Sequence, residues 1–176
     1  MRKLKVTEMG RMTLSEFRNS RKQPLIVILD NVRSMYNVGS IFRTSDAFRI
    51  EAVFLCGITG TPPHAEIHKT ALGAEDSVEW AYFENTADAV KAARERGCKV
   101  YSVEQCEGST MLHDFQPLGN SLAIILGNEV KGVQQSIVDI SDGCIEIPQH
   151  GTKHSLNVAS AAAIVIYSLS QQLAYQ

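Results

Sequence analysis

No stretch of this sequence reaches the roughly 20 consecutive apolar residues that a membrane-crossing helix needs. Its basic first residues are not followed early by the apolar stretch that a secretory signal requires. Cysteine is sparse: Cys56, Cys98, Cys106 and Cys144 form no C-x-x-C pair, and three of them sit in or beside apolar runs. That usage points to reduced, structural thiols rather than zinc ligands. His64 and His68 stand at i and i+4, as do His150 and His154, but each pair offers only two ligands, so no metal is expected. These absences predict a cytoplasmic globular protein with no membrane partner.

Phosphate signatures are missing too. Gly127-Asn-Glu-Val-Lys-Gly132 has the outline of a phosphate loop, but Val133 and Gln134 stand where Lys-Ser/Thr is required. No G-x-G-x-x-G follows the first apolar run, which removes a dinucleotide fingerprint. Ser155 lacks the G-x-S-x-G setting of a hydrolase nucleophile. It reads instead as a helix cap or a loop hydrogen-bonder.

What is present is an uneven charge distribution. Residues 1–50 carry 10 Lys/Arg and 4 Asp/Glu, and the remainder carries 7 and 15, so a segment of +6 precedes a body of −8 within a net charge of −2. A basic arm on an acidic body is the asymmetry expected of a chain whose first quarter meets phosphates.

Apolar runs and helical periodicities alternate along the 176 residues. Leu25–Leu29, Ala52–Cys56, Lys99–Val103, Leu122–Leu126 and Cys144–Ile147 read as buried strands, with Trp80–Phe83 a further short one. Helices are expected from Thr13 as cap through Asn19, over Asn37–Phe48 with Asn37 as cap, over His64–Leu72, from Thr86 to Gly97, over Val133–Ile140 and from His154 to about Leu173. The pattern predicts an α/β domain, a parallel-stranded sheet covered by helices on both faces. Residues 1–24 form a basic extension with a short helix, and 25–176 the domain. Ligands of open α/β sheets bind outside the strand carboxyl ends. The loops after Val103, Leu126 and Ile147 all fall there, and are expected to share one pocket. A ligand with adenine and ribose but no phosphate suits glycine loops that lack a lysine clamp.

Residues 145–163 are the richest stretch: a short strand ends at Pro148, a polar glycine loop follows, and a helix of small residues ensues. Three motifs now stand together. Asn37-x-Gly39-x-x-x-Arg43, Leu126-Gly127-Asn128-Glu129-x-x-Gly132 and Ile147-Pro148-x-x-Gly151-x-x-x-Ser155-Leu156-Asn157-Val158 resemble, in order and spacing, the motifs of the SpoU/TrmH family of RNA ribose 2′-O-methyltransferases, of the SPOUT class. The resemblance spans about residues 25–170. It implies a C-terminal trefoil knot, S-adenosylmethionine as cofactor, a tRNA or rRNA substrate and a homodimer with the active site at its interface. By motif, Arg43 is similar to the family's catalytic arginine, and Asn37, Glu129, Ser155 and Asn157 to its supporting polar residues. Gly127, Ile147 and Leu156, with Leu126 and Val103 at the ends of their strands, match positions lining the cofactor pocket. Arg11, Arg18, Arg21, Lys22, Arg33 and Lys153 are candidate RNA contacts. Glu129 and Asn37 are expected to hold the Arg43 guanidinium. Gln149 stands where the family usually has methionine. A catalytically silent RNA-binding or assembly factor on the same fold is the alternative; the intact polar set speaks against it.

Overall fold

The computed structural model describes residues 1–173. Its elements are α1 (Leu14–Asn19), β1 (Gln23–Asp30), α2 (Met35–Ala47), β2 (Ile50–Cys56), α3 (Ala65–Ala71), α4 (Ala74–Ser77), β3 (Glu79–Phe83), α5 (Thr86–Glu95), β4 (Lys99–Val103), β5 (Thr110–Met111), β6 (Leu122–Leu126), α6 (Gln135–Val138), β7 (Gly143–Glu146) and α7 (Val158–Leu173). The seven described strands form one sheet in the order β3-β2-β1-β6-β4-β7-β5, every pair parallel.

The sheet is buried on both faces, as continuous apolar strands require. Along β1, Leu25, Val27 and Leu29 join a core with α2, α3 and α7, while Ile26 and Ile28 join a second core with α5 and α6. All five of those side chains are fully buried. At the end of β1, the buried Asp30 carboxylate accepts from Thr86 Oγ1 at 2.6 Å, from Gln134 N–H at 2.9 Å and from Gln134 Nε2 at 2.7 Å. It thereby anchors the start of α5 and the loop after β6 to the strand edge. A buried carboxylate left without such partners would be strongly destabilising.

Several local expectations need correction. Ser34, not Asn37, caps α2: its Oγ accepts from Asn37 N–H at 3.3 Å. Helix α7 begins at Val158 rather than at His154, and its cap is Asn157, whose Oδ1 accepts from Ala159 N–H at 2.9 Å and Ser160 N–H at 3.3 Å. Ser155 is therefore neither a cap nor part of a helix. Asn85 precedes α5 as its cap residue, because the Thr86 hydroxyl is drawn to Asp30. The short elements α4 and β5 are additions to the expected set. Thr13 caps α1 through a reciprocal pair with Glu16.

The cysteines are free thiols. Burial pushes the Cys56 and Cys144 thiols up to about 12, helped at Cys144 by the Cys106 thiol 3.0 Å away. His64 and His68 serve locally. His64 Nδ1 accepts from Glu66 N–H at 3.2 Å, and His68 Nδ1 lies 2.6 Å from the Glu75 carboxylate. Among the described residues no group of three or more His, Cys, Asp or Glu is disposed to hold a metal, and no helix is long and apolar enough to cross a membrane.

Candidate functional site

The loops after β4, β6 and β7 line a single cavity of about 970 Å³ at the carboxyl edge of the sheet. Val103, Leu126, Gly127, Ile147 and Leu156 all contribute to its wall, as do Glu129, Ser155 and Asn157. The shape of the middle loop follows from its glycines. Asn128 N–H donates to the Gly132 carbonyl at 3.1 Å and Gly132 N–H to the Asn128 carbonyl at 2.8 Å, closing a tight hairpin. A Cβ at Gly127 would overlap the Gly132 and Val133 backbone, so only glycine lets the hairpin fold back on its own strand. Asn128 Nδ2 then donates to the Asn31 carbonyl at 2.8 Å, which fixes the hairpin to the loop entering α2.

That docking sets Glu129 against the start of α2. Its carboxylate accepts from Arg33 N–H at 2.9 Å, Ser34 N–H at 3.0 Å and Asn37 Nδ2 at 3.0 Å. Partial burial pushes the Glu129 carboxyl up, but these donors outweigh it and hold it below the usual carboxylate range. An anion at the N-terminus of a 13-residue helix also meets the favourable end of its dipole. The other end of the Asn37 amide accepts from Asn157 Nδ2 at 3.1 Å. Asn157, Asn37 and Glu129 thus form one chain of hydrogen bonds joining all three motifs along the cavity rim. Ser155 is exposed on the cavity wall and makes no side-chain hydrogen bond among the described residues.

Arg43 does not join them. It is exposed on α2 and lines a separate cleft of about 510 Å³ with residues of α3 and α7. The expectation that Glu129 and Asn37 hold its guanidinium fails, because both spend their polar atoms on the α2 entry and on Asn157. Ile41 and Phe42 beside Arg43 are fully buried, so the helix turns its apolar stripe to the core and its arginine outward.

The candidate RNA contacts divide. Arg11, Arg21, Arg33 and Lys153 are exposed. Arg18 spends part of its fork on the Asp76 carbonyl at 2.7 Å, which ties α1 to α4. Lys22 is no free cation: Nζ donates to the Phe17 carbonyl and to the Ser20 carbonyl at 3.1 Å, and lies 4.5 Å from the Phe17 ring centroid. It closes the C-terminus of α1, a role consistent with its position just past the helix end. Two residues that sequence reasoning passed over as loop or helix surface are Glu104 and Lys69. The Glu104 carboxylate accepts from Val133 N–H at 3.0 Å inside the cavity, and Lys69 lines the cleft that holds Arg43.

Fold and site define a parallel α/β domain with its ligand cavity at the strand carboxyl ends, built without a phosphate loop. Comparison with known proteins narrows this. The sequence profile of the SpoU rRNA Methylase family matches residues 24–167, and the chain belongs to that family. It is 31% identical over 161 residues to the 23S rRNA (guanosine-2′-O-)-methyltransferase RlmB of Vibrio cholerae, covering 90% of this chain and 64% of that protein. It is 30% identical over 168 residues to the tRNA (guanosine(18)-2′-O)-methyltransferase of Thermus thermophilus, covering 94% and 84%. Among solved structures, the AdoMet-bound rRNA methyltransferase from Sinorhizobium meliloti superposes with a TM-score of 0.80 at 27% identity, over 89% of this chain and 60% of that one. The chain therefore spans less than two thirds of several of the relatives it matches.

Proposed function

We propose that this protein transfers a methyl group from S-adenosylmethionine to a ribose 2′-hydroxyl of tRNA or rRNA. The observation that carries the reading is the hydrogen-bonded chain Asn157–Asn37–Glu129 on the rim of the large cavity, since it unites the three family motifs at one place. Family membership and the AdoMet-bound relative support it.

The cavity suits the cofactor. Its volume lies near the upper end of the range of about 300–1,000 Å³ typical of small-molecule sites. Val103, Leu126, Ile147 and Leu156 offer apolar wall to an adenosine, and glycine loops leave backbone groups within its reach. Glu104, Glu107 and Glu146 on the same wall complement a positively charged ligand. When bound, S-adenosylmethionine supplies an activated methyl on a sulfonium, a good leaving group.

The protein must then align the acceptor hydroxyl and assist loss of its proton. Alignment in a near-attack geometry supplies several kcal/mol of such accelerations, up to about 7–11. Arg43 serves in this reading as a hydrogen-bond donor, since its guanidinium offers five N–H groups in a fixed fork and no acceptor. In our reading its planar fork grips the phosphate beside the target ribose and stabilises the developing alkoxide. The phosphate or a water takes the proton. Glu129 positions the α2 entry, and Ser155 and Asn157 shape the cavity rim toward the substrate.

Arg43 and the cavity lie apart within one chain, and this favours a homodimer in which the arginine of one protomer serves the cavity of the other. Exposed apolar side chains on α7, Ile164 and Tyr167, and Tyr36 on α2 supply a face for that contact. The same reading includes the C-terminal knot: the chain runs from the edge strand β5 to the central β6, then returns as β7 between β4 and β5. It also takes residues 1–24 as an RNA-facing extension of a domain spanning 25–176, in a cytoplasmic protein. The test is calorimetry with S-adenosylmethionine, then transfer of labelled methyl into total tRNA and total rRNA with mapping of the modified nucleotide. Saturable cofactor binding and a single 2′-O-methylated position are expected. Binding without transfer to either RNA would leave the silent assembly factor in its place.

A further inference from the structure

Arg43 and Lys69 lie on the same cleft, between α2, α3 and α7, and no acidic side chain lines it. Two carboxylates of α2 and α4 are engaged elsewhere. Asp46 accepts from Ser77 Oγ at 2.6 Å, and Glu75 is paired with His68 at 2.6 Å. Neither Arg43 nor Lys69 has an ion pair or a side-chain hydrogen bond among the described residues. Two uncompensated cations facing one cleft repel each other, and an anion between them relieves the repulsion.

The rest of the lining limits which anion. Ser40 Oγ donates to the Tyr36 carbonyl at 2.8 Å, Thr44 Oγ1 to the Ser40 carbonyl at 3.1 Å and Thr70 Oγ1 to the Tyr36 carbonyl at 3.0 Å. With their protons committed to carbonyls, the hydroxyls of these lining residues have only lone pairs left to offer a ligand, which suits a sugar O–H rather than a phosphate. Ala47, Phe48 and Ala163 add an apolar patch, and the Phe48 ring is braced edge-on by Tyr167 at 5.8 Å. Phosphate-binding cations, hydroxyl acceptors and an apolar surface together fit one nucleotide.

The placement of Lys69 is fixed by packing. Gly39 lets α3 approach α2 so closely that an added Cβ would overlap the Ile67 carbonyl oxygen and Thr70 Oγ1. The backbone that carries Lys69 therefore has a set distance from the backbone that carries Arg43. No residue lines both this cleft and the large cavity.

We infer that the α2–α3–α7 cleft is a nucleotide subsite for the RNA substrate, in which Lys69 shares a backbone phosphate with Arg43. The inference rests on the proposed RNA methyltransferase reading and adds Lys69 to it as a positioning residue.

The experiment compares wild type, Lys69→Ala and Lys69→Arg for binding of labelled total tRNA and of fragmented total rRNA across a salt series. Loss of one phosphate contact should weaken binding about three- to tenfold and make the slope of log K against log salt shallower by about one. Lys69→Arg should restore both, and KM for RNA should rise more than kcat falls. S-adenosylmethionine affinity by calorimetry should stay at the wild-type value, which also certifies the fold. Unchanged affinity and slope in Lys69→Ala would overturn the subsite while leaving the methyltransferase reading intact. A change in sedimentation in place of RNA affinity would also overturn it, assigning the cleft to a protein contact. Wild-type protein that methylates no RNA would instead remove the methyltransferase reading, and the salt slope would still decide whether Lys69 meets a phosphate.

Discussion

Asn157 Nδ2 donates to Asn37 Oδ1 at 3.1 Å across 120 positions of sequence, and Asn37 Nδ2 passes the connection on to Glu129. The Asn37 amide presents an acceptor and a donor from one side-chain terminus, and both are used. Asn37→Asp keeps the acceptor but removes the donor, and sets a second carboxylate beside Glu129. We expect a loss of about 1–3 kcal/mol in urea denaturation, the range for an unmet hydrogen bond to a charged group. The deficit of Asn37→Asp should shrink on mild acidification, because two adjacent carboxylates resist joint ionisation and the folded pair takes up a proton more readily than the unfolded chain does. A variant as stable as wild type would show that the relay contributes nothing to the fold.

Glu129 carries its own pH signature. Its carboxyl is held below its unfolded-chain value by the donors at the α2 entry, so it binds its proton less readily when folded. A depressed carboxyl contributes stability above its unfolded value, about 4.3, and that contribution disappears as pH falls through the folded value. Melting temperatures of wild type and Glu129→Gln, taken between about pH 3 and pH 8, should differ by a constant amount at neutral pH and converge in acid. Curves that stay parallel down to the acid limit would place the pH sensitivity elsewhere.

Gly39 couples packing to the second cleft. Its missing side chain is the space into which α3 fits, against the Ile67 carbonyl and Thr70. Gly39→Ala gains helix propensity at an interior position, worth about 1 kcal/mol, yet must displace α3. The displacement costs about 1–3 kcal/mol, so the expected sign is destabilising by denaturant unfolding. RNA affinity should fall with it, since Lys69 moves with α3, whereas S-adenosylmethionine affinity should not. A stabilised Gly39→Ala protein would mean that the two helices separate at little cost.

The parallel sheet was legible because its strands are continuous apolar runs, and burial on both faces leaves few other uses for them. The observed strands begin or end within a few residues of the predicted ones, and the three cavity loops follow from strand direction alone. Helix starts were less legible. Asn37 has the composition of a cap, but Glu129, 92 positions away, claims its amide, and Ser34 caps in its place. Ser155 opens an apparently helical run of small residues that carry no periodic signal, and the helix waits for Asn157. Lys22 looked like a free phosphate contact because sequence does not show that the end of α1 folds back onto it. Arg43 was identifiable as a residue, yet its separation from the cavity is a matter of which face of α2 turns outward beyond the first turn.

That separation makes a decisive prediction for assembly. If the cavity of one protomer works with Arg43 of the other, then Arg43→Ala and a cavity variant such as Gly127→Val should each be inactive alone. Gly127→Val forces a side chain into the closed hairpin and should also abolish S-adenosylmethionine binding. Co-expressed with different tags, the two chains should form mixed dimers that contain one native combination, an intact cavity facing an intact arginine. At random pairing about a quarter of wild-type methyl transfer should return, and purified mixed dimers should show about half. A site completed within one chain gives no recovery, because neither parent then holds both parts. Retention of cofactor binding by Arg43→Ala, measured by calorimetry, separates loss of the arginine from loss of the fold.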